Sequence, residues 1–344
     1  MINWLTTSEI TKRRAYTEIA EKTGMSAFAV EKDWWVMQAL STIFEMEASK
    51  HLVFKGGTSL SKAWKLIDRF SEDVDLAIDR EFLGFTGELS KDKRTELRKK
   101  ASLYTSGQFF NELREKFAAK GFEKVEFKMV EAKDSDQDPR IIEIYYPYVI
   151  AHTDYMQPKV QIEIGCRSLM EPHTVRTFGS LVDEIYSDQK FALPFIKVPT
   201  VNPERTFLEK IFLLHEEFHR TPEKMRLKRL SRHLYDVVKL AKTEFAEKAL
   251  TDQALYSTIV EHRFKYTHVG GVDYNLHQPQ TINPIPIPSV IAAWKADYNN
   301  MVEDMIYEQA PPSFEQIINE LNELKQRINR LDWKFEMKFP LPKK

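Results

Sequence analysis

The 344-residue sequence predicts an α+β protein, in which a mixed β-sheet with flanking helices is followed by a mainly helical lobe. The first observation is that short apolar segments typical of strands lie between helical segments up to residue 165. The second is that the helical period dominates from Asn202 onward. We therefore predict a sheet domain of residues 1–199 and a mainly helical domain of residues 200–344.

The sheet domain opens with predicted helices over residues 8–46. The segment HLVF then predicts a short strand that ends at Gly56, and a helix is expected from Ser59 to about Ile67. Within the opening helices, apolar residues at helical spacing indicate a core stripe of Val30, Trp34, Met37 and Ile43.

The middle of the chain returns to strand character in DVDLAI, residues 73–78. Residues 87–119 are charged and helical in pattern, and we interpret them as an insertion. Three further strands are predicted within residues 122–131, 140–150 and 158–165.

The helical domain is expected to begin at Asn202, an N-cap followed by Pro203 at the first helical position. A second helix covers residues 229–242, and the proline-rich segment near residues 277–288 predicts an extended strap. Ser313 with Gln316 forms a capping box that opens an amphipathic closing helix.

Composition excludes several classes of protein. The formal net charge is −1, so a polyanionic partner must be held by local patches and not by a global field. The single cysteine, Cys166, cannot form an internal disulfide and is expected to be a small buried residue. No apolar run approaches the roughly 18 residues of a membrane span, so we expect a cytoplasmic protein without a membrane partner.

The stretch GGTS, residues 56–59, joins the first strand to the following helix. Gly56 and Gly57 allow the backbone to approach a ligand closely, and N–H groups at the start of a helix bind anions. Thr58 and Ser59 can add hydroxyl donors to a phosphate oxygen. The same four residues are also typical of an ordinary turn.

Asp73 and Asp75 are separated by one residue of a predicted strand, so both side chains leave the same face, about 6.6 Å apart along it. This spacing suits two carboxylates that share divalent metal ions roughly 3.5–4 Å apart. The alternative is a solvated strand edge, but the apolar set on the opposite face (Val74, Leu76 and Ile78) argues against it.

Four ordered motifs resemble one family. The segments KGGTSLSK, RFSEDVDL, ERTFLEKIFLL and RHLYDVVKL, with VEKDWWV upstream, are similar to the AbiEii nucleotidyltransferase toxins and their MenT-like relatives, in the polymerase-beta-like nucleotidyltransferase superfamily. The resemblance covers about residues 25–240. It implies a polymerase-beta-like mixed sheet with flanking helices, followed by the helical lobe.

The resemblance also implies roles for particular residues. Gly57 and Ser59 would hold a nucleoside triphosphate, and Asp73 and Asp75 would bind magnesium. Lys210 would contact the phosphates.

Three assignments leave alternatives open. Asp236 would complete the site from the helical lobe, or it forms an ordinary helix ion pair with Arg232 or Lys239. Lys210 flanks an apolar stripe of its helix. In the alternative it has no catalytic role, and its side chain runs along this stripe and places the charged end in solvent. Glu163 shares the polar face of its strand with Gln161 and is expected to be the third metal ligand, or a plain exposed glutamate.

A rival motif lies in the same helix as Lys210. His215, Glu216 and His219 form a literal H-E-x-x-H, which on a helix can bind zinc for a metalloprotease. The extended metalloprotease pattern does not follow it, so we favour histidines on a mostly solvated helix face. The basic runs at residues 91–100 and 224–233 leave a third hypothesis, a non-catalytic nucleotide- or RNA-binding module.

The sequence therefore predicts a magnesium-dependent nucleotidyltransferase that acts as the toxin of a toxin-antitoxin or phage-defence system. By resemblance, it would transfer a nucleoside monophosphate from a nucleoside triphosphate to RNA, with the 3′ end of tRNA as the expected acceptor. A cognate antitoxin is the expected protein partner.

Overall fold

The computed structural model describes residues 3–131, 140–152 and 157–342. The chain forms two compact units. Unit 1 comprises Met1–Lys65 and Arg69–Val201. Unit 2 comprises Leu66–Asp68 and Asn202–Lys344.

Unit 1 is built on a mixed sheet, which has seven strands within the described residues. The strands are β1 (Leu52–Lys55), β2 (Asp73–Ile78), β3 (Glu126–Glu131), β4 (Arg140–Tyr145), β5 (Lys159–Gly165), β6 (His173–Phe178) and β7 (Ile196–Val201). Their order is β3-β4-β5-β2-β1-β7-β6. The pairs β2–β5 and β1–β7 are parallel and the others are antiparallel. The prediction of a mixed sheet with flanking helices is confirmed.

The helices of unit 1 begin where the sequence supplies caps. They are α1 (Asn3–Thr6), α2 (Glu9–Thr23), α3 (Ala27–Ile43), α4 (Gly56–Thr58), α5 (Lys91–Tyr104), α6 (Phe110–Ala119) and α7 (Leu181–Ile185). At four of them the hydroxyl of the serine before the helix accepts the backbone N–H of the residue three positions further on: Ser8, Ser26, Ser90 and Ser180. A π-helical turn, Thr105–Phe109, joins α5 to α6.

Helix α3 forms the centre of the core in unit 1. It contacts β2 and β5, and its predicted stripe of Val30, Trp34, Met37 and Ile43 is fully buried. The strands bury alternate residues, as Leu76 and Ile162 show. Their other residues therefore form a polar face, which consists of Asp73, Asp75, Gln161 and Glu163.

Two predictions for unit 1 need correction. The helix expected from Ser59 to about Ile67 begins at Gly56 and ends at Ala63, because Lys65 takes a left-handed conformation with φ of 53°. Strands β6 and β7 are absent from the sequence prediction. Pro199 lies inside β7, which has a neighbouring strand on each side. Because proline in an apolar segment argues against a strand in the interior of a sheet, the sequence does not predict β7.

Unit 2 is helical. Its helices are α8 (Pro203–Phe218), α9 (Ser231–Ala241), α10 (Glu244–Thr251), α11 (Gln253–Tyr266), α12 (Ile291–Met305) and α13 (Phe314–Asn329). As predicted, α8 begins at Pro203 after Asn202, and the capping box of Ser313 and Gln316 opens α13. In the described part of the chain, no helix is long and apolar enough to cross a membrane.

The proline-rich segment of unit 2 holds the C-terminal residues by side-chain amides. It contains two short 3-10 turns, Tyr274–His277 and Pro279–Thr281. Gln278 Nε2 donates to the carbonyl oxygen of Phe335 at 2.8 Å, and Gln280 Nε2 donates to that of Trp333 at 2.9 Å. The segment is therefore tied to the tail that follows α13.

Candidate functional site

The carboxylates of Asp73 and Asp75 lie on the polar face of β2. Both side chains are half-buried, whereas Val74 and Leu76 between and beyond them are fully buried. This alternation places the two aspartates on one face, as the spacing predicts.

Strand pairing adds a neighbour on each side of Asp75. Asp75 pairs with Lys55 of β1 and with Glu163 of β5, so the three side chains form a row across the polar face. Lys55 is not among the predicted site residues. Its place beside Asp75 follows from the antiparallel pairing of β1 with β2, which the sequence does not reveal.

The carboxylates do not form a complete metal site by themselves. Glu163 is exposed, and among the described residues no three His, Cys, Asp or Glu side chains are grouped so that they could hold a metal ion. Magnesium, however, is commonly held by one or two carboxylates together with substrate phosphates. Asp73 and Asp75 supply such a pair, and the role of Glu163 as third ligand stays a prediction.

The glycine turn, residues 56–59, lies directly against Asp75. Gly56 has φ of 81°, and a Cβ added there would lie 2.0 Å from Asp75 Oδ2. A Cβ on Gly57 would lie 2.7 Å from Arg69 Nη2 and 2.7 Å from Ser71 Oγ. Only glycine therefore allows the backbone to come this close to a carboxylate and a guanidinium.

The two hydroxyls of the glycine turn hold the turn itself. Thr58 Oγ1 donates to the carbonyl oxygen of Asp73 at 2.6 Å, and Ser59 Oγ donates to that of Gly56 at 2.8 Å. Both residues are fully buried. Both hydroxyl protons are thus donated to backbone carbonyls, and the predicted roles of Thr58 and Ser59 toward a phosphate stay predictions. The predicted contacts of Gly57 and Ser59 with nucleotide stay predictions.

Three consecutive charged residues at the start of α3, which we call the α3 charge trio, support this site from inside unit 1. Lys32 Nζ lies 2.5 Å from Glu72 Oε2, next to Asp73 in sequence. Asp33 Oδ1 lies 2.7 Å from Nζ of Lys62, which follows the glycine turn. The third member, Glu31, accepts two backbone N–H groups. In the sequence these three residues are marked only by the VEKDWWV motif.

In unit 2, the two residues predicted to act in catalysis pair with each other. Lys210 Nζ on α8 lies 2.9 Å from Asp236 Oδ2 on α9 and 3.2 Å from His233 Nδ1. Lys210 is 7% exposed and Asp236 is fully buried. The alternative that Lys210 extends to solvent is therefore wrong. Asp236 thus forms its ion pair with Lys210 of the neighbouring helix, and Lys239, one of the two partners considered in the alternative, pairs with Asp68 and Glu308.

A family profile described as nucleotidyl transferase AbiEii toxin, Type IV TA system, matches residues 38–320. The chain belongs to the AbiEii nucleotidyltransferase toxin family. This membership confirms that the protein is an enzyme, a nucleotidyltransferase toxin of a type IV toxin-antitoxin system. It disfavours the non-catalytic module.

The fold of this AbiEii-family toxin is also similar to that of a solved structure. Among solved structures, MenT4, a nucleotidyltransferase toxin from Mycobacterium tuberculosis H37Rv, is similar with a TM-score of 0.44 and 18% identity. The similarity covers 94% of this chain and 93% of that one. No curated protein matches the toxin's sequence.

The H-E-x-x-H motif of the toxin is a buried structural element. Glu216 accepts from Arg263 Nε at 2.7 Å and lies 3.2 Å from His277 Nε2. Burial alone would raise the pKa of Glu216, but the charge and hydrogen bonds of Arg263 outweigh it and lower this pKa to about 2. A carboxylate held in this way cannot act as the general base of a metalloprotease.

The expectation that the two motif histidines lie on a solvated face is wrong for His215. It is fully buried, and its Nδ1 accepts the N–H of Asn283 at 3.0 Å. His219 Nδ1 lies 2.7 Å from the carbonyl oxygen of His215. These ring nitrogens serve local hydrogen bonds, and the described residues contain no three-ligand metal group, so the zinc alternative is not supported.

The α3 charge trio leads to a first prediction. Lys32→Gln removes the charge that faces the buried Glu72, so the free energy of unfolding should fall by about 3 kcal/mol. Because Glu72 precedes Asp73, kcat for nucleotide transfer should also fall at temperatures where the variant remains folded. Denaturant unfolding and transfer assays measure the two effects. The exposed Lys99→Gln on α5 is the matched control, and a Lys32→Gln variant as active as this control would contradict a positioning role.

A second prediction separates structure from catalysis at Lys210. Lys210→Met leaves the buried Asp236 without this counter-charge and should cost about 3–5 kcal/mol of unfolding free energy. The double variant Lys210→Met/Asp236→Leu removes both charges and should regain most of that stability. If the pair acts in catalysis, the stable double variant still transfers no nucleotide.

The control for Lys210 is Lys248→Met, which breaks an exposed ion pair with Glu244 and should change stability by less than about 1 kcal/mol. Wild-type transfer by a folded Lys210→Met/Asp236→Leu variant would show that the pair is only structural.

A third prediction concerns pH. Burial lowers the pKa of both His215 and His277, with neighbouring histidines adding to the shift at His215. In the unfolded chain each histidine has its ordinary pKa of 6.5, so below that pH the unfolded state binds more protons than the folded state. The contribution of these histidines to the free energy of unfolding is therefore fully present above pH 6.5 and falls as the pH drops below it. Each histidine can contribute up to about 1.4 kcal/mol per pH unit.

Urea unfolding at a series of pH values from neutral to mildly acidic measures this loss of stability. His215→Gln/His277→Gln should flatten the dependence, whereas the exposed His268→Gln should not change it. An equal acid slope in the double variant and the wild type would refute the assignment.

Proposed function

We propose that this toxin transfers a nucleoside monophosphate from a nucleoside triphosphate to an RNA hydroxyl, and that the acceptor is the 3′ end of tRNA. The position of Asp75 against the glycine turn carries the proposal. A carboxylate and an anion-binding backbone in contact suit a triphosphate that is bound together with its metal ion.

The carboxylates of the polar face fit a divalent metal. Asp73 and Asp75 present oxygen ligands on one face, and the exposed Glu163 is in register with Asp75. We assign Asp73 and Asp75 as magnesium ligands and Glu163 as the third. When bound, magnesium lowers the pKa of an attacking hydroxyl and stabilises the leaving oxygens.

The chain's own cations and amides would hold the triphosphate. The backbone of residues 56–59 would bind its phosphates, and Lys55, which pairs with Asp75 across the strands, would be a further positive group. Lys210 is proposed to contribute charge and Asp236 to orient it, since the two side chains form a buried ion pair. In the reaction, the acceptor oxygen bonds to the α-phosphorus as the bond to pyrophosphate breaks, and the hydroxyl loses its proton.

The biological consequence follows from the acceptor. Nucleotides added to the 3′ end of tRNA would prevent aminoacylation and stop translation, which takes place in the cytoplasm. The antitoxin of the type IV system would counter this effect.

The fourth prediction tests the aspartates. Asp73→Asn and Asp75→Asn keep the side-chain shape and remove the charge, so each should reduce transfer at least about a hundredfold without loss of the fold. The measurement is incorporation of label from each nucleoside triphosphate into total RNA, with and without magnesium. Asp92→Asn on the exposed side of α5 is the matched control. Unchanged transfer in either site variant would overturn the two-carboxylate assignment.

The acceptor is identified in the same assay. Periodate oxidation destroys the terminal diol of RNA, so oxidised tRNA should accept no label while intact tRNA does. Equal labelling of both would exclude the 3′ hydroxyl, and labelling of another RNA in place of tRNA would exclude tRNA.

A further inference from the structure

In unit 2, a histidine outside the predicted site contacts the ion pair of Lys210 and Asp236. Lys210 Nζ lies 2.9 Å from Asp236 Oδ2 and 3.2 Å from His233 Nδ1. Lys210 and Asp236 are buried, and His233 is half-buried. The ammonium of Lys210 therefore has one carboxylate and one imidazole within hydrogen-bond distance.

The direction of the hydrogen bond between Lys210 and His233 determines the state of the imidazole. Lys210 forms an ion pair with Asp236, so its side chain is an ammonium, which has three N–H donors and no acceptor. The Nδ1 atom of His233 therefore accepts the hydrogen bond, and the proton of the neutral ring is on Nε2. His233 thus holds Lys210 without adding a charge.

The fold fixes His233 through the first turn of α9. His233 and Asp236 are three residues apart on α9, so their side chains are neighbours on one helix face. Leu230, the residue before α9, supplies no side-chain cap. Asp297 of α12 takes that role, because its Oδ2 accepts the N–H of Ser231 at 3.1 Å and the hydroxyl of Ser231 at 2.6 Å. A second helix of unit 2 thus anchors the turn that carries His233.

Two acceptors orient the ammonium of Lys210 better than one. A lysine has a long, flexible stem, and a single ion pair leaves the ammonium free to rotate about its contact. When two of the three N–H bonds are directed to Asp236 and His233, the direction of the third is set as well.

The chemical nature of the second acceptor also matters. The charges of Lys210 and Asp236 cancel, so a second carboxylate at residue 233 would make the cluster negative and would repel a triphosphate. A neutral imidazole accepts the hydrogen bond without this repulsion.

We propose that His233 is a positioning residue of the transferase, which directs the ammonium of Lys210 toward the phosphates of the nucleoside triphosphate. The inference rests on the proposed function, since it requires that Lys210 contacts those phosphates. It extends that function to a residue to which the family resemblance gives no role.

Three substitutions of His233 separate geometry from charge. His233→Asn supplies an uncharged Oδ1 near the position of Nδ1, so KM for the nucleoside triphosphate should stay within about twofold of the wild type. His233→Leu removes the acceptor, and KM should rise about tenfold, because hydrogen bonds to charged groups are strong. His233→Asp keeps an acceptor and adds a negative charge, so KM should rise at least about tenfold as well.

Steady-state transfer to saturating total RNA, with the nucleoside triphosphate that gives the most labelling, measures these constants. A histidine with a merely structural role would change the amount of folded enzyme, and so the apparent kcat, and would leave KM constant. A misdirected Lys210 raises KM instead. The exposed His268→Leu is the matched control in unit 2 and should have the wild-type KM.

A second measurement does not depend on activity or on the folding of His233→Leu. Long-range proton–nitrogen NMR spectra of the ¹⁵N-labelled full chain report which imidazole nitrogen carries the proton, and His233→Asn identifies the signals of His233. The wild type should show the Nε2–H form. In Lys210→Met/Asp236→Leu the Nδ1 signal of His233 should shift, because its donor is lost.

Three results would overturn the inference: wild-type KM in folded His233→Leu, equal KM values for His233→Asn and His233→Asp, or a proton on Nδ1 of His233. Each of them leaves the proposed role of Lys210 intact. Failure of that role gives a different result, since wild-type transfer by Lys210→Met/Asp236→Leu would exclude Lys210 from the reaction, and this inference with it.

Discussion

The cost of burying charge organises unit 1. Glu31, Lys32 and Asp33 are consecutive on α3 and each is at most 3% exposed. A buried charge without partners would cost several kcal/mol, so each must meet complementary groups at fixed positions. Glu31 holds the segment after β4, Lys32 holds Glu72, and Asp33 holds both Lys62 and the N–H of Leu181. One turn of helix thus holds the segment after the glycine turn, the segment before β2 and the start of α7.

That constraint explains how the carboxylates of the polar face can be partly accessible to solvent and still be held in fixed positions. Asp73 and Asp75 lie on a strand whose other face is packed under α3, and the residue before them is held by a buried ion pair. The backbone that carries the two carboxylates is therefore held in a fixed position.

Unit 2 uses the same physics between helices. Lys210 pairs with Asp236 across α8 and α9, and Glu216 pairs with Arg263 across α8 and α11. Such pairs add little net stability compared with well-packed apolar residues, because desolvation offsets much of their attraction. They also explain why H-E-x-x-H, a pattern with a well-known catalytic use, is a structural element here. The partner of its glutamate lies 47 residues further along the chain, where local sequence cannot indicate it.

The sequence by itself determined the local features of this toxin: the strand parity that puts Asp73 and Asp75 on one face, the need for glycine at residues 56 and 57, the first residue of α8, the capping box of α13, and the family. These depend on periodicity and backbone geometry within a few residues. Only the tertiary structure decided that Lys55 lies beside Asp75, that Lys210 is paired with Asp236, and that β7, with its proline, is inside the sheet. Each of these is a pairing between distant segments, and its energy depends on burial and on a partner that no local pattern specifies.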